Sequence, residues 1–228
     1  MNLLIIIIEN GILFITSRFI SKAIFIFGHT ITHSQSVASR LLAFIFFPGT
    51  LLHELSHWGM AKILFVHTGR VELMPEIHED GLKLGSVQIA RVDPIRRFLI
   101  GVAPLIVGSL LLGLISYYML PYILNFSFTT SYLLLATCYI YVLFVISNTM
   151  FSSKKDMEGA SALLIFIIFV ITILFVAGRG EWIVTAITSI VNNPITQQYS
   201  NTIVMLLLIP VGINIGISIL FKISPRKR

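Results

Sequence analysis

An all-α polytopic membrane protein is the fold class the sequence predicts, with about six transmembrane helices and a small β-hairpin insert between the second and third. Three observations carry this. Hydrophobic residues make up 56% of the chain and charged residues only 11%, against roughly 25% charged in an ordinary soluble domain. Mean hydropathy is +0.93. The apolar residues are also gathered into runs, and a helical crossing of a bilayer needs about 20 residues. Six crossings would use roughly 120 of the 228 residues, which leaves no room for a separate soluble catalytic domain. The chain is therefore read as one membrane-embedded domain over 1–228, with any chemistry in or against the bilayer. The net charge of +6 would suggest nucleic acid in a soluble chain; here it reads as the basic bias of cytoplasmic loops, and no nucleic-acid partner is expected. A lone cysteine, Cys138, has no partner for an internal disulfide.

The first run, 3–17, follows Met1 and Asn2 with no basic leader and no small-residue cleavage site before Arg18, so it reads as a retained anchor. Residues 18–40 are open: apolar FISKAIFIFG, too short to cross, precedes polar HTITHSQSVAS, and the segment spans, lies in the interface or extends the first helix. Further spans are expected over 41–66, 98–124, 131–150, 160–178 and 201–221. With six spans, the basic clusters Arg96–Arg97, Lys154–Lys155 and the tail Lys222, Arg226, Lys227 and Arg228 share one face, which predicts both termini cytoplasmic. Arg18, Lys22 and Arg40 dissent. Between the second and third spans, 67–97 changes character. Val71 and Leu73, then Val87, Ile89 and Val92, sit among polar neighbours, and Gly81 and Gly85 punctuate the stretch. Period-two alternation with glycine breaks predicts two or three short strands, a hairpin; an amphipathic loop on the bilayer surface is the competing reading.

The second span contains PGTLLHELSHWGMAKILF. His53 and His57 are four residues apart, so on a helix they project from one face and can grip one Zn²⁺ through ring nitrogens. Glu54, one position on, reaches a water beside the metal, where a carboxylate acts as base. Chance gives only about 0.005 occurrences of this pattern in a chain of this composition, and ionisable residues inside an apolar helix default to function. The competing reading is a buried structural polar cluster.

A catalytic zinc takes three protein ligands and keeps one open position. The third is sought in the polar stretch after the fourth span, where Asp156 is the candidate and Glu158 the reserve. By itself Asp156 reads equally as an N-cap for the fifth helix. Depth favours the ligand. Lys62 lies five residues past His57, placing that ring about 7–8 Å below the interface at 1.5 Å per residue, and Lys154–Lys155 marks the same face. His29 and His33 are also four apart, but without an intervening glutamate; a second metal site there is the weaker reading.

These residues resemble the site-2 protease family of intramembrane zinc metalloproteases, which carries HExxH in one membrane helix and, later, an asparagine followed eight positions on by an aspartate. Asn148 and Asp156 in NTMFSSKKDMEG have that separation, and APLIVG (Ala103 to Gly108) is similar to the family's small-residue helix between the two motifs. The matched region is about 49–160. The prolines of the family's second motif are replaced by Ser152, Ser153, Lys154 and Lys155, its glycine stands three positions past the aspartate, and no PDZ-like insert is present, so the resemblance is to a minimal or divergent member. It implies zinc held by His53, His57 and Asp156, Glu54 as base, and Asn148 holding substrate or oxyanion, a role an amide donor suits.

The function expected is that of an intramembrane zinc endopeptidase cutting membrane-associated polypeptides near the cytoplasmic face, with substrate captured by strand addition at 70–92. Two rivals are a prenyl-protein-type zinc membrane protease, in which a glutamate is the third ligand, and a non-catalytic zinc-binding scaffold or transporter.

Overall fold

The structure is a computed structural model that describes residues 2–72, 76–78, 81–83, 85–124, 129–151, 156 and 160–223. These residues form seven helices and four short strands: α1 (Asn2–Thr32), α2 (Gln35–Ile63), β1 (Thr68–Glu72), β2 (Glu76–His78), β3 (Gly81–Lys83), β4 (Ser86–Ile89), α3 (Pro94–Leu124), α4 (Thr130–Thr149), α5 (Ala160–Val176), α6 (Gly180–Asn192) and α7 (Pro194–Ile223).

The open segment 18–40 resolves as helix. Leu13, Ser17, Ile20, Ile24 and Gly28 recur every three to four residues on one buried face of α1, which is the period a packed helix requires. Arg18 and Lys22 lie on the exposed side, with the Arg18 guanidinium 4.6 Å from the Phe14 ring centroid. The chain then reverses at His33, whose φ of 52° lies in the left-handed region, and the Ser34 hydroxyl caps α2 by accepting from the Val37 amide. The first two expected spans are therefore one helical hairpin with longer arms than their apolar runs.

Five helices, α1, α2, α3, α4 and α7, are long and apolar enough to cross a bilayer; α5 and α6 make a sixth crossing only if counted together, and they are bent by 118° about a short break. Gly178 in that break has φ of +68°, a backbone that glycine adopts without a Cβ penalty. Packing sets the directions of the long helices. Ile20 and Ile24 of α1 meet Leu42 and Phe46 of α2 on one side, and Ile213 and Ile217 of α7 on another. Leu13 packs with Leu207 and Val211, and Phe27 meets Phe221 edge to face. Rising numbers in α1 meet rising numbers in α7, so these two helices run the same way, and Asn2 and Ile223 lie at opposite ends of the bundle.

The β insert is present and has four strands, not two or three. β1 and β4 pair antiparallel through Val71 with Val87 and Glu72 with Ser86, with an irregularity between Thr68 and Val71. β2 and β3 form a second antiparallel pair. The foot of this ribbon is anchored by apolar packing: Val66 is buried with Ala61 of α2 and Ile100 of α3, and Ile89 and Val92 pack against them.

Candidate metal centre

His53 and His57 project from α2 as their spacing requires, one helical turn apart, with ring centroids 4.7 Å apart and planes near perpendicular. Both are held from behind. His53 Nδ1 lies 2.6 Å from the Thr149 carbonyl oxygen of α4, and His57 Nδ1 lies 2.8 Å from the Ile100 carbonyl oxygen of α3. A carbonyl only accepts, so each Nδ1 carries the proton and donates it, and in the neutral ring Nε2 keeps its lone pair. Thr149 is free to accept because it is the last residue of α4, where helix carbonyls have no intrahelical donor.

Close helix approach makes these bonds reachable. A Cβ on Gly49 of α2 would overlap the Thr149 hydroxyl and stand 2.6 Å from Val145 Cγ1, so the bare glycine lets α4 lie against α2 beside His53. Small residues play this part between membrane helices, where lipid is as apolar as the side chains and only close packing distinguishes the partner.

The two Nε2 atoms are 3.2 Å apart. Asp156 closes the group, with Oδ1 3.6 Å from His57 Nε2 and Oδ2 3.9 Å from His53 Nε2. One ligand atom from each of the three residues falls within 4.8 Å of the others, and this is the one such group of three among the described residues. Three donors around a tetrahedral ion at zinc distances of about 2.05 Å stand roughly 3.3 Å apart; the two Nε2 atoms match that spacing at 3.2 Å, and each Asp156 oxygen would close on its ring by about 0.3–0.6 Å to reach it. With both rings neutral, a cation between the two Nε2 atoms would accept both lone pairs. Nitrogen, nitrogen and carboxylate oxygen form the donor set that zinc takes in open, reactive sites.

Gly101 of α3 admits Asp156. A Cβ there would overlap the Asp156 carbonyl oxygen and lie 2.8 Å from its carbonyl carbon. Sequence reasoning did not single out Gly101, though it stands two positions before the small-residue run Ala103–Gly108 that it did note.

Glu54 is buried on α2, next in sequence to His53 and not a member of the group. The ribbon touches it: a Cβ on Gly85 would stand 3.0 Å from Glu54 Cγ and Oε1, so the backbone entering β4 lies on the carboxylate. The reserve ligand Glu158 lies outside the described residues. Asn148 is buried on α4, and its amide donates to the Phe144 carbonyl at 2.7 Å and to Asn214 Oδ1 at 2.9 Å. Asn214, fully buried on α7, donates in turn to the Ser147 hydroxyl at 3.4 Å. Asn148 thus sits in a polar knot between α4 and α7, one residue from the carbonyl that orients His53. Nothing in the local sequence marks Asn214 as its partner, because the two are 66 positions apart.

No family model, curated protein or solved structure matches the chain.

Proposed function

We propose that the protein is a membrane-embedded zinc peptidase that hydrolyses peptide bonds of membrane-associated polypeptides. The observation that carries this reading is the convergence of His53 Nε2, His57 Nε2 and Asp156, with both rings fixed by backbone carbonyls and a buried glutamate one residue from the first ligand. Zinc bound there would supply Lewis acidity, polarising the scissile carbonyl and acidifying water toward neutral pH. The chain's own groups do the rest. Glu54 takes the proton of the attacking water and passes it to the leaving amine, a role worth about 10²–10⁴ in rate. Burial of Glu54 and His57 excludes bulk water and strengthens each charge interaction.

The ribbon supports a polypeptide substrate. Among the described residues β1 and β4 pair only with each other, which leaves each an edge where an unwound chain could add as a strand, and the backbone at Gly85, next to β4, lies against Glu54. Among the described residues it is an aspartate that meets the rings, which supports this reading over the prenyl-protein type, whose third ligand is a glutamate.

In the membrane, the end of α2 that carries Lys62 and the end of α4 at Thr149 would face the cytoplasm, with the metal group just inside. The α5–α6 pair leaves and returns on that face as a re-entrant hairpin. With that course, the parallel α1 and α7 support the start of α1 on the cytoplasmic face and the end of α7 on the other. It is an alternative to the arrangement with both termini cytoplasmic that six crossings predict.

The test is purified protein in lipid, assayed for bound zinc and for cleavage of membrane-spanning peptides. Wild type should hold one zinc per chain and cut, whereas Glu54→Gln should hold zinc and not cut. Cleavage by Glu54→Gln at the wild-type rate would remove Glu54 as the base; zinc held without cleavage of any such peptide by wild type would favour the scaffold.

A further inference from the structure

His57 is oriented by a carbonyl in the middle of a helix, and this needs a reason. Ile100 lies six residues into α3, where each carbonyl ordinarily accepts from the amide four positions later. Four positions after Ile100 is Pro104, inside α3 and fully buried. Proline has no N–H, and its ring crowds the carbonyl of the residue four before it, tilting that carbonyl off the helix axis. The carbonyl so released is the one whose oxygen stands 2.8 Å from His57 Nδ1. The Thr149 carbonyl that serves His53 is free because α4 ends there. Both histidines therefore donate to helix carbonyls that lack an intrahelical donor, one at a helix end and the other opposite a proline.

We infer that Pro104 is a positioning residue for the metal group: by withholding its amide hydrogen it frees the Ile100 carbonyl to fix the tautomer and ring plane of His57. The inference rests on reading His53, His57 and Asp156 as a metal site, but its physical core, the tautomer of His57, is measurable without metal.

The decisive variant is Pro104→Ala. It returns an N–H to the helix interior and removes the ring, so the Ile100 carbonyl swings back to its ordinary donor. Proline is the least favourable residue in a helix interior, so the helix itself should not weaken. Loss of a partner that orients a ligating histidine typically lowers metal affinity 10–100-fold, and Pro104→Ala should raise the zinc dissociation constant about 10-fold. The cobalt-substituted protein should show altered visible bands. In metal-free protein labelled with ¹⁵N-histidine, the His57 signals should shift from a single Nδ1–H form to a mixture of tautomers. Pro121→Ala, a second proline of the same helix with no histidine on its released carbonyl, should change none of these.

Unchanged affinity, cobalt spectrum and tautomer in a folded Pro104→Ala would overturn the inference. So would a tautomer change of equal size in Pro121→Ala. If Pro104→Ala does not fold, Pro104→Gly restores the same amide without a side chain and is read by the same criteria. If wild type binds no divalent ion, the metal reading fails, and the tautomer comparison still decides the part played by Pro104.

Discussion

Replacing Gly101 by alanine tests how the metal group is assembled. The new methyl would stand 2.8 Å from the Asp156 carbonyl carbon, where carbon atoms rest at about 3.5–4.0 Å. The obstructing atoms are backbone and cannot rotate away, so Asp156 must withdraw by about 0.7–1.2 Å to restore contact distance. Its oxygens now lie 3.6 and 3.9 Å from the imidazole nitrogens; moved away as a unit, they would stand roughly 4.3–5.1 Å away, about 1 Å or more beyond the roughly 3.3 Å between donors of a tetrahedral zinc. Asp156 should cease to be a ligand, and zinc affinity should fall at least about 100-fold, or roughly 2.7 kcal/mol. The helix should be no less stable, since alanine is favoured over glycine in a helix interior by about 0.5–1 kcal/mol. Competition with a chromophoric chelator measures the affinity, and thermal unfolding in detergent checks the fold. Gly113→Ala, on the same helix with nothing within 4 Å of its new methyl, is the control. Wild-type zinc affinity in a folded Gly101→Ala would refute the placement of Asp156 and with it the three-ligand site.

Asp156→Ala should abolish stoichiometric zinc binding while Glu158→Ala retains it; the reverse result, by metal analysis of purified protein, would make the glutamate the ligand and revive the prenyl-protein alternative. Gly49→Ala sets a methyl 2.6 Å from Val145 Cγ1 and 2.9 Å from the Val145 carbonyl, so it should cost about 1–3 kcal/mol of stability through overpacking and weaken zinc binding by parting His53 from Thr149. Acidification should release the metal, because the Nε2 lone pairs and the Asp156 carboxylate are ligands only when unprotonated; an affinity that does not fall with pH would exclude histidine ligation. Asn148→Ala should lower thermal stability by breaking the bond to Asn214 yet leave zinc stoichiometry intact, as its amide is turned to α7 and not to the ligands.

The metal-binding pair was legible because it is local. Four residues on a helix make one turn, so HELSH placed His53 and His57 on one face before any packing was known. Membrane-length helices were legible for the same reason: apolar runs of about 20 residues have one physical use. The 18–40 segment was not, since its charges Arg18 and Lys22 and its polar end weigh against a span in one dimension, while on the helix they fall on the side away from the Ser17–Ile20–Ile24 face. Asp156 was picked out by its place in the polar stretch after the fourth span and by depth, but sequence alone could not distinguish a ligand from a helix cap.

By itself, then, the sequence determined a membrane-type helical chain with two imidazoles and an acid set on one turn, and an alternating polar insert after them. Tertiary structure alone decided which distant acid meets the rings, that α1 and α7 run in the same direction, that Asn148 is turned toward Asn214, and that the backbone carbonyls of Thr149 and Ile100 hold the histidines from behind. The division follows from the range of the forces. Helical periodicity and hydrophobic length act over a few residues and leave their mark in the order of side chains. Contacts made by backbone, or by a glycine's missing methyl, carry no side-chain signature and exist only once helices separated by many tens of residues are pressed together.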